Sequence, residues 1–324
     1  MSTLSDEPLQ IRQIKLHHIV ITFVASVVIT GQSSVNAELN KYTDNALFTA
    51  ILVFISGLLV LIALLIAKKP ARDSFLSIRH LVRLGELKWW QLAGGLSGAT
   101  FVAIQSDLVA ATGVAIFTIS AVAGQTAGAL FVDKIGIGPA GKRAITVARV
   151  FSALLGVVGV VISVAGQASQ ANFAIGGVLL TFAAGCFVST QPALNGTVAI
   201  KTGHALAATT MNFVVGLVTL LVVFGVVQLI HPATFTIPPS PMHNPLIWMG
   251  GPFGVFFVLV AAYMARTLGV FVFTLASVLG QLSGAILIDM VFPTSATHIT
   301  AQLLIGLVVT GSAVVLASVT SKSS

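Results

Sequence analysis

The sequence predicts an all-α, polytopic membrane protein with ten transmembrane helices in two inverted-topology repeats of five helices. Three observations lead to this prediction: the apolar composition, the positions of the basic residues and an internal repeat. Of the 324 residues, 56% are apolar and 8% are charged, and the mean hydropathy is +1.02. A soluble globular domain has about 25% charged residues, so the composition excludes a water-soluble globule.

Apolar stretches of sufficient length occur ten times along the chain. A membrane-spanning helix needs about 20 consecutive apolar residues, and charged or turn-forming residues separate one stretch from the next. We predict spans at 16–38, 45–67, 89–112, 114–132, 144–166, 172–198, 204–230, 245–266, 269–291 and 299–319.

Two of the boundaries lie inside long apolar stretches. As one helix, the stretch 92–132 would be about 60 Å long, which is twice the thickness of the hydrocarbon layer. We therefore predict a reversal of the chain at Gly113. By the same argument, the stretch 246–292 should reverse near Gly269.

The basic residues indicate the orientation of the spans. With a cytoplasmic N-terminus, fifteen of the sixteen Lys and Arg residues fall on the cytoplasmic side, and only Lys41 falls outside. This imbalance follows the positive-inside rule, so we predict a multi-pass protein of the inner (cytoplasmic) membrane with both termini in the cytoplasm. The net charge of +7 then reflects the basic residues on the cytoplasmic side of the spans. We therefore expect the lipid bilayer, not a nucleic acid, as the partner of this protein.

Two parts of the chain repeat each other. Residues 94–133 align without a gap on 250–289 with 15 identities in 40, and 31–57 align on 190–216 with 7 identities in 27. A shared apolar bias would not match Gly, Gln and Asp residues. The matched polar pairs include Gln32/Gln191, Asn36/Asn195, Gln125/Gln281 and Asp133/Asp289.

Each copy of the repeat contains five predicted spans. Because five is odd, the second copy enters the membrane from the opposite side, which makes the repeats inverted. Inverted repeats are typical of secondary transporters, whose halves rock about a site near the membrane midplane. The predicted divisions are a cytoplasmic segment at 1–15, the first repeat at 16–166, a linker at 167–171, the second repeat at 172–319 and a cytoplasmic tail at 320–324.

Short motifs within the copies resemble those of a known transporter group. They are Gly31-Gln32-x-x-x-Asn36 and its echo Gln191-Pro192-x-x-Asn195, Gly57, Trp89-Trp90-x-x-x-Gly94-Gly95, Gly124-Gln125 and Asp133. In these motifs the chain resembles the drug/metabolite transporter (DMT) superfamily, which includes EamA-like exporters, and within it the tandem YdcZ-type branch. The resemblance implies ten helices around a central cavity and transport of small metabolites or drugs.

Two pairs of amide side chains are the first candidates for binding a solute. Gln32 and Asn36 are four residues apart and therefore share a helix face, and Gln191 and Asn195 repeat that spacing. An amide both donates and accepts hydrogen bonds without the cost of a charge in the membrane. The alternative interpretation is that these amides hold neighbouring helices together.

A third pair, Gln125 and Gln281, lies on the fourth span of each copy between glycines. The pairs Gly124/Gly128, Gly280/Gly284, Gly94/Gly98 and Gly250/Gly254 have the spacing that lets helix backbones approach closely. The glutamines could face either the cavity or a neighbouring backbone. In the superfamily that the chain resembles, the third and fourth spans line the cavity, which favours a site role for Gln125 and Gln281.

Two polar residues have no counterpart in the other copy. Asp107 is opposite Tyr263, and it is a candidate for proton coupling or cation attraction, or else a solvated residue near the outer end of its span. Asn212 is opposite Val53, deep in a span, and is either a site residue or a contact between helices.

Patterns typical of enzymes are missing from the sequence. The seven histidines lack metal-ligand spacing, Cys186 has no base beside it, and no glycine-rich phosphate loop occurs. We therefore expect no catalytic residues, no metal and no cofactor, and a homodimer is an open alternative to a monomer. We predict a secondary-active exporter of a small polar or amphipathic metabolite or drug that works by alternating access, with a non-transporting membrane scaffold or accessory subunit as the alternative.

Overall fold

The computed structural model of the protein describes residues 16–138, 141–142, 145–165, 175–291 and 299–320, and of 262–275 it describes the helical backbone only. Within these ranges the chain forms eleven α-helices and two short 3-10 turns and contains no β-strand. The predicted segment 1–15, the linker 167–171 and the tail from 321 onward lie outside the described residues, as do the side chains of Arg149, Tyr263 and Arg266.

The first copy of the repeat contains six helices. They are α1 Leu16–Thr43, α2 Ala46–Ala67, α3 Lys69–Arg83, α4 Gly94–Thr112, α5 Val114–Ile135 and α6 Val147–Ala165. The second copy contains α7 Ile175–Val188, α8 Thr190–Thr202, α9 Ala205–Ile230, α10 Gly250–Val291 and α11 Ala301–Thr320. Among the described residues, six helical stretches are long and apolar enough to cross a membrane: His17–Thr43, Ala46–Ala67, Trp89–Thr112, Val114–Ile135, Ile175–Thr202 and Ala205–Ile230.

The predicted reversal at Gly113 is confirmed. Gly113 separates α4 from α5 and has a φ of +79°, a conformation that a residue without a Cβ adopts without strain. It therefore ends α4 after one crossing and starts α5 in a new direction.

The predicted reversal near Gly269 takes place without a break in the helix, because α10 is helical without interruption over 42 residues. A straight helix of that length would measure about 63 Å. However, Gly254 lies beside Gln32 of α1, while Ile288 lies beside Gly31, the preceding residue of the same helix. Since both ends of α10 meet the same part of α1, the axis of α10 changes direction sharply between them.

The predicted span 172–198 consists of two helices. The break lies at Ser189, between α7 and α8, and Pro192 occupies the first turn of α8. Proline has no N–H to bond to the preceding turn, so it favours a new helix start there. The aligned residue in the first copy is Ser33, and α1 runs through that position without a break.

Sequence analysis placed no helix between the second and third spans, where the structure has α3. This helix buries Ala71 and Ile78 and carries Arg72, Arg79 and Arg83 on its exposed side. Apolar residues recur there at helical spacing, at Ala71, Phe75, Ile78 and Val82. The density of basic residues between 68 and 88 hid that pattern.

Where α2 contacts α9, each copy packs a phenylalanine ring against a glycine of the other copy. The ring of Phe213 on α9 occupies the space beside Gly57 of α2, and the aligned ring of Phe54 occupies the space beside Gly216. The two ring centroids are 5.0 Å apart. These aligned pairs give the contact between α2 and α9 a local two-fold symmetry.

The predicted close approach at the fourth-span glycines is confirmed. A Cβ on Gly124 would collide with the backbone of Phe182 in α7, and one on Gly280 would come within 2.5 Å of the backbone oxygen of Phe23 in α1. Beside the latter contact, Ser26 donates to Ser277 at 2.9 Å. The packing of α1 on α10, and of α7 on α5, thus joins opposite copies.

Candidate functional site: two amide clusters

Glycines of the opposite copy create the space for the predicted amide pairs. Gln32 and Asn36 lie against Gly254 and Gly250 of α10, in that order. In the aligned positions, Gln191 and Asn195 lie against Gly98 and Gly94 of α4. These four glycines therefore meet amide side chains, while the adjacent Gly95 and Gly251 meet the backbones of α9 and α2.

The first amide cluster consists of Gln32, Ser33, Asn36 and Gln105. Asn36 Nδ2 donates to Gln105 Oε1 at 2.8 Å, and Gln105 Nε2 donates to Ser33 Oγ at 2.8 Å. All four side chains are buried, with Asn36 at 0% exposure. Helix α1 contributes three of them and α4 contributes Gln105, so the cluster lies within the first copy and is covered by α10.

One atom of the first amide cluster is unsatisfied. Asn36 Oδ1 is buried and has no hydrogen-bond partner among the described residues. It lies where Gly250 would carry a Cβ, and Oδ1 of the aligned Asn195 lies in the same place beside Gly94. An amide oxygen thus lies beside a glycine in both copies, and Asn36 Oδ1 remains able to accept a hydrogen bond.

The second amide cluster consists of Gln191, Asn195 and Asn212. Gln191 Nε2 and Asn195 Nδ2 both donate to Asn212 Oδ1, at 2.9 and 3.1 Å. Asn212 is 3% exposed, whereas Gln191 and Asn195 are half-buried. Asn212, which has no polar counterpart in the repeat, is thus the shared acceptor that joins α8 to α9.

The clusters lie at different heights along α4. Gly98 touches the second amide cluster and Gln105 belongs to the first, and seven helical residues span about 10 Å. The two predicted amide pairs therefore do not converge on one point. Asn36 donates to Gln105 and Asn195 donates to Asn212, and neither acceptor has a polar counterpart in the other copy.

Gln125 and Gln281 join neither cluster. Gln125 is half-buried in α5 and has no side-chain hydrogen bond within the described part of the chain. Gln281 Nε2 donates to Ser277 Oγ at 3.2 Å, one turn earlier in the same helix, and its backbone oxygen accepts a bond from Thr30. Asp107 is exposed on α4, apart from both clusters.

Sequence analysis missed Gln105 and Ser33 as site residues and the contact that Asp289 makes. Gln105 aligns with Ala261, and Ser33 aligns with Pro192, so a search for matched polar pairs passes over both. Their position within an apolar span was a usable signal, because polar residues inside spans usually have a structural or functional partner. Asp289 accepts hydrogen bonds from Val114 N and Ala115 N of the other copy.

The two clusters offer hydrogen bonds without charge. Their side chains are amides and one hydroxyl, which together donate and accept in several directions. Desolvating them costs less than desolvating an ionised group. The arrangement can therefore bind polar groups of a solute inside the membrane, and it does not by itself attract one sign of charge.

A separate apolar groove lies between α6, α10 and α11. It is lined by Leu155, Leu279, Leu282, Ser283, Leu307, Val308, Gly311, Ser312 and Leu316. None of these residues belongs to either amide cluster. Its apolar lining at the edge of the helices suits contact with lipid.

One family model matches this chain twice in tandem, and the two matches together cover most of the chain. The model of the family described as "Putative inner membrane exporter, YdcZ" matches residues 18–162 and, in tandem, 176–316. A search of curated proteins finds none that matches this chain. The two matched stretches lie within the two predicted copies of the repeat, with Gln32, Asn36 and Gln105 in one and Gln191, Asn195 and Asn212 in the other.

Proposed function

Because this chain belongs to the YdcZ family of inner membrane exporters, carries that unit twice and has several apolar helices long enough to cross a membrane, we propose that it is a secondary-active exporter of a small polar or amphipathic metabolite or drug. The solute passes between the two copies by alternating access. No cofactor takes part, and the lipid bilayer is the surrounding partner. Both termini lie in the cytoplasm.

The observation that carries this proposal is the unequal exposure of two aligned amide pairs. Gln32 and Asn36 are buried, while Gln191 and Asn195 are half-buried. Under the proposed topology, the first pair lies toward the outer face and the second toward the cytoplasm. A protein closed at its outer end and open at its inner end would show this difference.

The proposed topology has ten crossings in two inverted copies. The two-fold contact of Phe54 and Phe213 supports it, as does the change of direction within α10. In this arrangement α10 supplies two crossings, and α7 with α8 supplies one. To close the inner end and open the outer end, the two copies rock about the contact between α2 and α9.

The chemistry of the pathway indicates the class of solute. Amides bind hydroxyl, carbonyl and amine groups of either polarity. Gln125 on α5 is half-buried and without a hydrogen-bond partner among the described side chains, and we assign it to the polar surface of the pathway. Gln281 plays the same part beside the first cluster, and Asp107 attracts cations near the outer end of α4.

The test is a melting screen of the detergent-purified protein against pooled amino acids, sugars, nucleosides, polyamines and cationic drugs. A ligand at 100 times its Kd stabilises the native state by about 2.7 kcal/mol, so binding raises the melting temperature. We expect Asn212→Leu to abolish the shift, because it removes the acceptor that holds both Gln191 and Asn195. Any pool that shifts the melting temperature is then tested for transport in proteoliposomes.

Gln228→Leu is the matched control. It removes an amide from the same helix, α9, whose hydrogen bonds go to Ala233 in the following connection. Loss of binding in Asn212→Leu and its retention in Gln228→Leu supports the proposed site. An unchanged shift in Asn212→Leu contradicts the site, and purified protein that neither binds nor transports any pool favours a membrane scaffold.

A further inference from the structure

One buried carboxylate joins the two copies and belongs to neither amide cluster. Asp289, near the end of α10, is 4% exposed. It accepts hydrogen bonds from Val114 N at 3.1 Å and Ala115 N at 2.8 Å. We name this contact the inter-copy cap, because a residue of the second copy caps the first turn of α5 in the first.

The inter-copy cap replaces a local one. The residue before α5 is Gly113, which has no side chain and provides no capping bond. The first N–H groups of a helix lack partners within it and favour a negative charge nearby. Val114 and Ala115 are both at 0% exposure, so without Asp289 these donors would be buried and unpaired.

The inter-copy cap lies beside the first amide cluster. Ile288, the neighbour of Asp289, touches Gly31, which precedes Gln32 in α1. Ala37, one residue after Asn36, belongs to the same buried apolar group as Val114 and Ala115. Asp289 therefore fastens α10 to α5 at the closed end of the proposed pathway.

The hydrogen bonds of Asp289 within the described residues are these two, and no side chain there forms an ion pair with it. The nearest charges of α1, Glu38 and Lys41, are exposed and pair with each other at 2.7 Å. Among the other elements packed at this contact, α4 carries the exposed Asp107, and α5 carries Asp133 and Lys134 at its far end. Helices α2, α9 and α11 have no titratable group within their bounds. The bond between copies therefore depends on the protonation of a single carboxylate.

We propose that Asp289 is a proton-binding site that controls the closed end of the transporter. As a carboxylate it accepts both N–H groups and holds α5 against α10. When one oxygen binds a proton from water, it becomes a donor and loses its charge, so the cap weakens and the end with Asn36 opens. The proposal rests on the proposed function, and it adds proton coupling at a residue that faces no substrate in the closed state.

The experiment measures the opening of each end with one introduced cysteine at a time in a Cys186→Ser background. Ser33→Cys reports on the first amide cluster and Thr190→Cys reports on the region beside the second. Reaction with a maleimide is followed in proteoliposomes between pH 5.5 and 8.5, and each rate is divided by that of the unfolded protein at the same pH. This division removes the ionisation of the thiol itself.

With Asp289 present, we expect Ser33→Cys to react about tenfold faster at the acidic end of the range. With Asp289→Asn, the rate should be high at both ends of the range. Asp289→Ser, which caps a helix without charge, provides a second variant in case the first is not folded, and it should also lose the pH response. Asp107→Asn removes an exposed carboxylate and should retain the response.

The outcomes separate this proposal from the proposed function. An identical pH response in wild type, Asp289→Asn and Asp289→Ser overturns the role of Asp289, and so does a wild type without any response. If Ser33→Cys opens with acid in an Asp289-dependent way while Thr190→Cys does not close, the proton site stands and alternating access fails. Opposite changes at the two reporters support both.

Discussion

The two amide clusters occupy aligned positions of the repeat, yet they differ in burial and in the side chain that accepts their hydrogen bonds. Asn36 donates to Gln105 of α4 and is fully buried. Asn195 donates to Asn212 of α9 and is half-buried. The amide pairs are thus common to both copies, while the acceptors differ between them. The clusters are therefore related by position and can differ in stability and solute affinity.

The difference in burial also follows the helices that surround each cluster. The buried cluster is covered by α10, whose Asp289 caps α5, whereas the other includes α8, a short helix that starts anew after Ser189. The cluster on the continuous α1 is the buried one, and the cluster on the broken helix is the more exposed one. Exchanging features between the clusters therefore tests which of them sets the exposure.

The largest difference between the clusters should come from filling the space at their glycines. In Gly250→Ala the new Cβ would collide with Asn36 Oδ1 and lie 3.3 Å from Val53 Cγ2, and both side chains are buried. Overpacking of this kind costs about 1–3 kcal/mol. In Gly94→Ala the Cβ would be 2.5 Å from Oδ1 of the half-exposed Asn195, which can rotate away, so the loss of stability should be smaller.

Thermal melting in detergent measures both variants. Gly225→Ala is the control, because nothing lies within 4 Å of a Cβ added there, and it should not be destabilised. Equal losses in Gly250→Ala and Gly94→Ala would show that the two clusters are equally confined, contrary to the comparison.

A second, smaller difference should come from removing the acceptors. Gln105→Leu leaves Asn36 Nδ2 buried without a partner, which costs about 1–3 kcal/mol. Asn212→Leu frees two donors that reach solvent, and hydrogen bonds between membrane helices average only about 0.6 kcal/mol. Melting of the two variants side by side, with Gln228→Leu as reference, should therefore rank Gln105→Leu as the less stable, and the reverse order would contradict the assigned burial.

The smallest expected effect is a partial recovery of stability when the first copy receives an acceptor at the position that Asn212 occupies in the second. Val53 aligns with Asn212 and is 2% exposed beside Gly250. In the Gln105→Leu background, Val53→Asn should restore about 0.6 kcal/mol by accepting from Asn36, whereas alone it buries a redundant amide and should destabilise. A double-mutant cycle on melting data measures the coupling between the two substitutions. Purely additive effects would show that Val53→Asn does not accept a hydrogen bond from Asn36.

The spans were predictable because apolar length and glycine turns act locally. The ends of α2 and α9 agree with the predicted spans within one residue, and Gly113 reverses the chain as predicted. The continuity of α10 through Gly269 was not predictable, because a helix can bend without a residue that breaks it. The amphipathic α3 was missed because its charges were interpreted as topology alone.

The site was only partly predictable. The spacing of Gln32 and Asn36 placed both on one face, and only the structure shows that this face meets glycines of the other copy. That Gln105 would meet Asn36, and not Gln125, depends on the relative heights of α1, α4 and α5, which no periodicity encodes. The partner of Asp289 is 174 residues away in sequence, so only the packing of the copies reveals it.

The packing of α1 on α10 has a consequence for biosynthesis. Asn36 enters the membrane 214 residues before its neighbour Gly250 is translated, and at 5–20 residues per second that interval lasts about 10–40 s. During this time the polar side chains of α1, among them Ser26, face lipid or an assisting protein in place of α10. The first copy therefore has an incomplete surface in the bilayer until α10, in the last quarter of the chain, is inserted.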